Sequence, residues 1–122
     1  MATIVLAEDD PDLRALYVAT LNRAGYVVIE AADGQAAVEI VRTRQPDLLL
    51  LDLWMPTLNG FEVLDTLRYD PCATRLKVVV LSAQCDADVR FEAFGCGAVG
   101  YLVKGLAITD LLECVRATLA KE

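Results

Sequence analysis

Leu48-Leu49-Leu50-Leu51-Asp52-Leu53-Trp54-Met55-Pro56 decides how this chain folds. Four consecutive leucines leave no side chain to face water, so the run reads as a strand covered on both faces, as in a parallel sheet packed between helices. The run then meets a carboxylate and a turn. Open α/β sheets bind ligands at the carboxyl ends of their strands, which makes Asp52 a candidate site residue. The plainer reading is an aspartate that caps a turn. A second strand bears on the choice: Thr3 to Ala7 is short and apolar, and it too runs into acids, Glu8, Asp9 and Asp10. Two acid-tipped strands point to a cation site.

Outward from these two strands the chain alternates strand and helix. Asp10-Pro11 supplies a helix N-cap and a favoured first helical residue, and Leu13, Leu16, Tyr17, Thr20, Leu21 and Ala24 carry a helical stripe that Gly25 stops. Tyr26 to Ala31 reads as strand two. Asp33-Gly34 opens a second helix with Ala36, Ala37, Ile40 and Val41 inward, and Pro46 ends that connection. Strand three is Asp47 to Leu51, and Asn59-Gly60 closes the loop after it. Helix three carries Val63, Leu64 and Leu67, and Lys77 to Leu81 is a β-branched strand four. On helix four Phe91 and Phe94 stand three apart, a spacing that predicts core positions. Val99 to Val103 makes strand five, and Ile108, Leu111, Leu112, Val115 and Leu119 stripe the last helix. The alternation predicts a doubly wound parallel α/β sheet with right-handed crossovers.

The 122 residues suit one domain, expected over 1–122 with no effector domain in this chain. Hydrophobic residues make up 56% and charged residues 24%, a globular composition. The formal charge of −7 disfavours direct binding to nucleic acid or to an anionic membrane. No apolar run approaches the ~20 residues of a membrane span, so a cytoplasmic protein is expected. Cys72, Cys85, Cys96 and Cys114 are scattered, with no C-x-x-C pair, and read as free thiols, not as a disulfide framework or a zinc site. The chain has no histidine, which excludes Ser-His and Cys-His nucleophilic machinery. Gly95-Cys96-Gly97-Ala98-Val99-Gly100 fits the dinucleotide fingerprint, but it ends a helix and enters a strand, the reverse of what that motif requires. Its glycines read as a helix cap and a turn.

In such a sheet one edge collects Glu8, Asp9 and Asp10 from strand one, Asp52 from strand three, Ser82 from strand four and Lys104 from strand five. Crowded carboxylates raise one another's pKa, and a hard divalent cation such as Mg²⁺ removes that penalty. An aspartate can attack a phosphoryl group to form an aspartyl phosphate. A cation and Lys104 would neutralise the charge on the phosphoryl oxygens, and Ser82 would donate a hydrogen bond to one of them. Taken singly, Ser82 reads as a helix cap and Lys104 as a solvated lysine; the set at four strand ends argues against both.

These residues resemble the receiver domain of two-component response regulators. The resemblance spans essentially the whole chain. It rests on Glu8-Asp9-Asp10-Pro11, Leu51 to Pro56 with Asn59-Gly60, Val80-Leu81-Ser82-Ala83, Gly97-Ala98 and Gly100-Tyr101-Leu102-Val103-Lys104, in that order. It implies a flavodoxin-like five-stranded sheet of order 2-1-3-4-5 with five helices, an order illustrated by a chemotaxis member of this family. It implies Asp52 as phosphoacceptor, with Mg²⁺, or Mn²⁺ in its place, held by Asp9, Asp52 and the Trp54 backbone carbonyl, and by Glu8 through water. Asp10 falls just outside that shell. Ser82 and Tyr101 are the implied switch pair, and Lys104 the implied phosphoryl partner. The implied donor is a sensor histidine kinase or a phosphotransfer protein. The output is a partner protein, or an effector domain elsewhere, met by a face of helix four, strand five and helix five, with Phe91 under that face. The implied state is a monomer or a weak phosphorylation-dependent dimer, acting as a signalling protein that catalyses only its own phosphorylation and dephosphorylation.

The chain departs from the family pattern at three places. Proline usually follows the lysine, joined by a cis peptide; here Gly105 does, and a non-proline cis bond costs about 3 kcal/mol, so the bond is trans or glycine's freedom reproduces the bend. Trp54 is large enough to screen a phosphoryl group on Asp52 from water. Val99-Gly100 stands where winged-helix regulators commonly carry acids of a dimer face, so that dimer is not expected. Two rival readings remain: a phosphorylation-independent adaptor, and an aspartate-nucleophile phosphatase. The phosphatase needs a second acid two residues after the nucleophile, where this chain has Trp54.

Overall fold

Each strand sends alternate side chains to opposite sides, and the register of the sheet sorts them into two apolar cores. In the computed structural model, which describes residues 1–83 and 86–121, the elements run β1 Thr3–Ala7, α1 Pro11–Arg23, β2 Val27–Ala31, α2 Gly34–Arg44, β3 Leu48–Asp52 and α3 Gly60–Arg68. They continue through a short 3₁₀ turn at Pro71–Ala73 to β4 Lys77–Ser82, α4 Ala87–Gly95, β5 Gly100–Val103 and α5 Ile108–Ala120. The sheet is parallel with order β2-β1-β3-β4-β5, the expected topology. Cys85 lies outside the described residues, while Cys72, Cys96 and Cys114 are free thiols.

Val5, Leu49, Leu51, Val78 and Val80 point to the side covered by α2, α3 and α4. Ile4, Leu6, Leu48, Leu50, Val79 and Leu81 point to the side covered by α1 and α5, where Tyr17, Leu21, Leu111 and Val115 meet them. All five residues of β3 are buried, which places the four-leucine run at the centre of both cores. Each buried leucine contributes about 1.5–3 kcal/mol by leaving water. Among the described residues no helix is long and apolar enough to cross a membrane.

Several expectations need correction. Phe91 is 82% exposed and Phe94 40%, so neither is a core residue and Phe91 lies on its face, not under it. Ala93 is the fully buried residue of this nine-residue helix, and a ring two places either side of a buried position is turned away from the sheet. Phe94, one place on, is half out, with the Arg90 guanidinium over its ring at 5.9 Å. On α1 the buried line runs through Tyr17 and Leu21, four apart, which leaves Leu16 in solvent, and Ala24 is the C-cap beyond the helix. Ile108, at the first turn of α5, is also exposed. Strand ends shift by a residue: Tyr26, Asp47 and Val99 precede their strands, and β3 and β4 take in Asp52 and Ser82.

Candidate functional site

The pairing register brings the polar strand ends to one level. Ala7 lies beside Leu51, so the next residues along, Glu8 and Asp52, are neighbours. Asp52 pairs with Leu81 and Ser82 with Val103, which puts Ser82 and then Lys104 on the same edge. The Lys104 amide donates to the Ser82 carbonyl at 2.7 Å, continuing the β4–β5 ladder to the site. Ser82 is fully buried, and Tyr101, half-buried, pairs with Val80 further down the strand.

Glu8 and Asp52 are almost completely buried, at 0% and 2% exposure, whereas Asp9 is exposed. One carboxylate oxygen from each of the three lies within 4.8 Å of the others. Lys104 Nζ stands 2.8 Å from Glu8 Oε1 and 2.9 Å from Asp52 Oδ2, so one ammonium faces two buried acids. The Glu8 contact is an ion pair outside hydrogen-bond alignment. Asp52 Oδ1 accepts from the Trp54 amide at 3.2 Å, so the turn-capping role and the site role fall on the same side chain. Asp10 is spent elsewhere: its Oδ1 accepts from the amides of Asp12 and Leu13 and caps α1.

Burial raises the Glu8 carboxyl above the usual glutamate range, against the Lys104 contact and the Asp10 amide, which lower it, and with Asp52, which raises it further. For Lys104 burial alone would lower the value, but the contacts with Glu8 and Asp52 outweigh it and hold the ammonium above the usual lysine range. The cluster is therefore short of positive charge, and three convergent carboxylates with hard oxygen donors fit a divalent cation of the Mg²⁺ type.

The turn that carries Asp52 is locked by close packing. A side chain on Gly60 would meet Leu53 Cα at 2.6 Å and the Asp52 carbonyl oxygen at 2.7 Å, and the Gly60 amide donates to the Leu53 carbonyl at 2.8 Å. Asn59 does more than close the loop: it exchanges hydrogen bonds with Glu62 in a capping box that starts α3. The Lys104-Gly105 peptide is trans, and Gly105 takes a positive φ of 88°. Glycine's left-handed freedom thus makes the bend, and Lys104 reaches both acids.

A family model described as "Response regulator receiver domain" matches residues 4–116. The chain belongs to that family. Over 99% of its length this receiver domain is 35% identical to the DNA-binding dual master transcriptional regulator RpaA of Synechocystis sp., of which it covers 50%. It is 37% identical, over 99% of its length, to the nitrate/nitrite response regulator protein NarL of Escherichia coli, covering 56% of that protein. The receiver domain thus spans about half the length of these curated relatives. It superposes on the chemotaxis protein CheY4 of Vibrio cholerae with a TM-score of 0.91 at 28% identity, covering 97% of this chain and 98% of that one. For a putative response regulator from Chloroflexus aurantiacus the TM-score is 0.93 at 29% identity, with 98% of both chains covered.

Glu8, Asp9, Asp52 and Lys104, read from three separate stretches, meet within one cluster, with Ser82 at the same edge. Arg14 and Tyr17 are the residues of this receiver domain that sequence reasoning passed over. Arg14 Nη1 donates to the Glu8 carbonyl at 2.7 Å while its Nε pairs with Glu30 at 3.2 Å, which fixes the backbone under the acids. A basic residue one turn after the helix cap was the only sign of it. Tyr17 sat in the apolar stripe, and nothing in the sequence set its hydroxyl apart.

Proposed function

We propose that this receiver domain accepts a phosphoryl group on Asp52 from a histidine kinase or phosphotransfer protein and uses it to change a partner-binding face. The observation that carries this reading is a nearly buried Asp52 that has the Lys104 ammonium at 2.9 Å and two further carboxylates within 4.8 Å. A buried aspartate that shares one lysine with further acids suits a nucleophile better than a structural ion pair, since the extra acids only cost stability unless a second cation joins them.

Asp9, Asp52, the Trp54 carbonyl and, through water, Glu8 are the groups that would hold Mg²⁺ or Mn²⁺. A bound divalent cation neutralises the acids and draws charge from the phosphoryl oxygens. A carboxylate oxygen of Asp52 attacks phosphorus, the bond from phosphorus to the donor nitrogen breaks, and its electron pair leaves with the imidazole. Lys104 shifts from the Asp52 carboxylate to a phosphoryl oxygen, and the Ser82 hydroxyl donates to another. Those movements draw on Ser82, on β5 and on Tyr101 within it, and so bias the face formed by α4, β5 and α5.

The test is the intact mass after treatment with acetyl phosphate and Mg²⁺. One added phosphoryl group that needs the metal and disappears in Asp52→Asn supports the reading. No gain in mass, together with Trp54 fluorescence blind to Mg²⁺ and beryllofluoride, would favour an adaptor that works without phosphorylation.

A further inference from the structure

Tyr17 is 2% exposed on α1, and its hydroxyl is wholly buried with no group among the described residues in full hydrogen-bond alignment. Its ring packs in the apolar layer with Leu6, Leu81 and the partly buried Leu102 and Leu106. A phenylalanine would fill that space without burying an unsatisfied oxygen, so packing alone does not account for the hydroxyl. The Gly105 backbone N–H is near enough to act on this hydroxyl, as are the charges of Glu8 and Lys104, and Tyr17 shares its apolar layer with Leu102 and Leu106 on either side of Lys104-Gly105.

Gly105 is the weak link behind Lys104. On its N-terminal side the lysine backbone is tied to the Ser82 carbonyl by a 2.7 Å hydrogen bond. On its C-terminal side the chain passes through a left-handed glycine, and the space where a Cβ would stand is empty to 4 Å. A side chain that must leave Asp52 for a phosphoryl oxygen needs its own backbone held still.

We propose that the Tyr17 hydroxyl is a positioning group for Lys104: it accepts the Gly105 N–H when Lys104 engages the phosphoryl group, and so fixes the lysine's backbone from beneath. This rests on the reading of Asp52 as acceptor. Tyr17 touches neither phosphoryl group nor cation, and its effect falls on where Lys104 can reach.

The experiment compares wild type with Tyr17→Phe, which removes one oxygen and keeps the ring. Three readouts are taken: hydrogen exchange of the Gly105 amide by NMR, the affinities for Mg²⁺ and for beryllofluoride from Trp54 fluorescence, and the initial phosphorylation rate with acetyl phosphate. The expected result is about tenfold faster exchange at Gly105 in the beryllofluoride complex. Beryllofluoride affinity and phosphorylation rate should fall several-fold, while Mg²⁺ affinity stays within about twofold of wild type. Unchanged Gly105 exchange overturns the proposal, as does an equal fall in Mg²⁺ and beryllofluoride affinity, the mark of a loosened core. If Tyr17→Phe does not fold, a nuclear Overhauser contact between the Tyr17 hydroxyl proton and the Gly105 amide in wild type supports the proposal, and its absence overturns it. A wild type that takes up no phosphoryl group and binds no beryllofluoride refutes the acceptor reading, whereas beryllofluoride binding with unchanged Gly105 exchange in Tyr17→Phe refutes the positioning role alone.

Discussion

Trp54 stands two residues beyond Asp52, half exposed, with its ring edge-on to Phe61 at a centroid distance of 6.2 Å. With Asp52 as the proposed acceptor, an indole held against Phe61 two residues on would take space that a hydrolytic water needs. Replacing Trp54 with Asn should therefore speed loss of the phosphoryl group several-fold, measured as the decay of phosphorylated mass; an unchanged rate would mean the ring leaves the path to Asp52 open. Glu8 sets a pH dependence. Its carboxyl is raised in the folded state above the 4.5 of the unfolded chain, chiefly by burial, so its contribution to stability is complete below 4.5 and is lost as pH rises through the folded value. Lys104 is raised above 10.5, so its contribution persists through neutral pH and disappears only above that value. On the proposed function, with Glu8 reaching the cation through water, an ionised Glu8 favours binding, so Mg²⁺ affinity should climb as pH rises from 4.5 through the Glu8 value and then level off, with proton release detectable by calorimetry in two buffers. A pH-independent affinity would place Glu8 outside the cation's reach.

Among the elements, α4 carries two apolar rings that the sheet does not cover. Phe91→Ser should leave the unfolding free energy from urea denaturation within about 0.5 kcal/mol of wild type, because the ring is 82% exposed and contributes little burial. A loss of several kcal/mol would show that the ring is buried in solution. Gly34→Ala, at the head of α2, is the opposite case: the added carbon would stand 2.0 Å from the Leu58 carbonyl oxygen, backbone that cannot swing aside. Its cost should exceed about 2 kcal/mol on the same measurement. These contrasts mark what the sequence could convey. The apolar runs of β1, β3 and β4 specify buried parallel strands because no other element hides both faces of such a run. A pair of rings three apart on a short helix states only that they share a side, and the tertiary packing of Ala93 against the sheet decides which side that is.

Taken as a whole, the molecule puts its acids at the carboxyl edge of the sheet because each follows directly on a buried strand, which is why Glu8, Asp9, Asp52 and Lys104 were legible in one dimension. The position of Lys104 was not, since it depends on the backbone bend at Gly105, and the Arg14 bond to the Glu8 carbonyl was invisible because it joins a helix side chain to a strand-end backbone. The resulting edge carries three acids against one lysine, and on the proposed function a divalent cation would restore the balance only in the folded chain, where the three converge. At a Mg²⁺ concentration about a hundredfold above its dissociation constant the folded state gains about 2.7 kcal/mol, or about 10 °C in melting temperature for a domain of this size. Melting curves in MgCl₂ and in NaCl of matched ionic strength separate specific binding from screening. Asp9→Asn removes an exposed carboxylate and leaves the buried pair with Lys104 intact. In that variant the Mg²⁺ shift should shrink to the NaCl value while the cation-free melting temperature stays within a few degrees of wild type. A full shift in Asp9→Asn would place the cation elsewhere, and no shift in wild type would mean that Lys104 suffices for the acids and the edge holds no divalent cation.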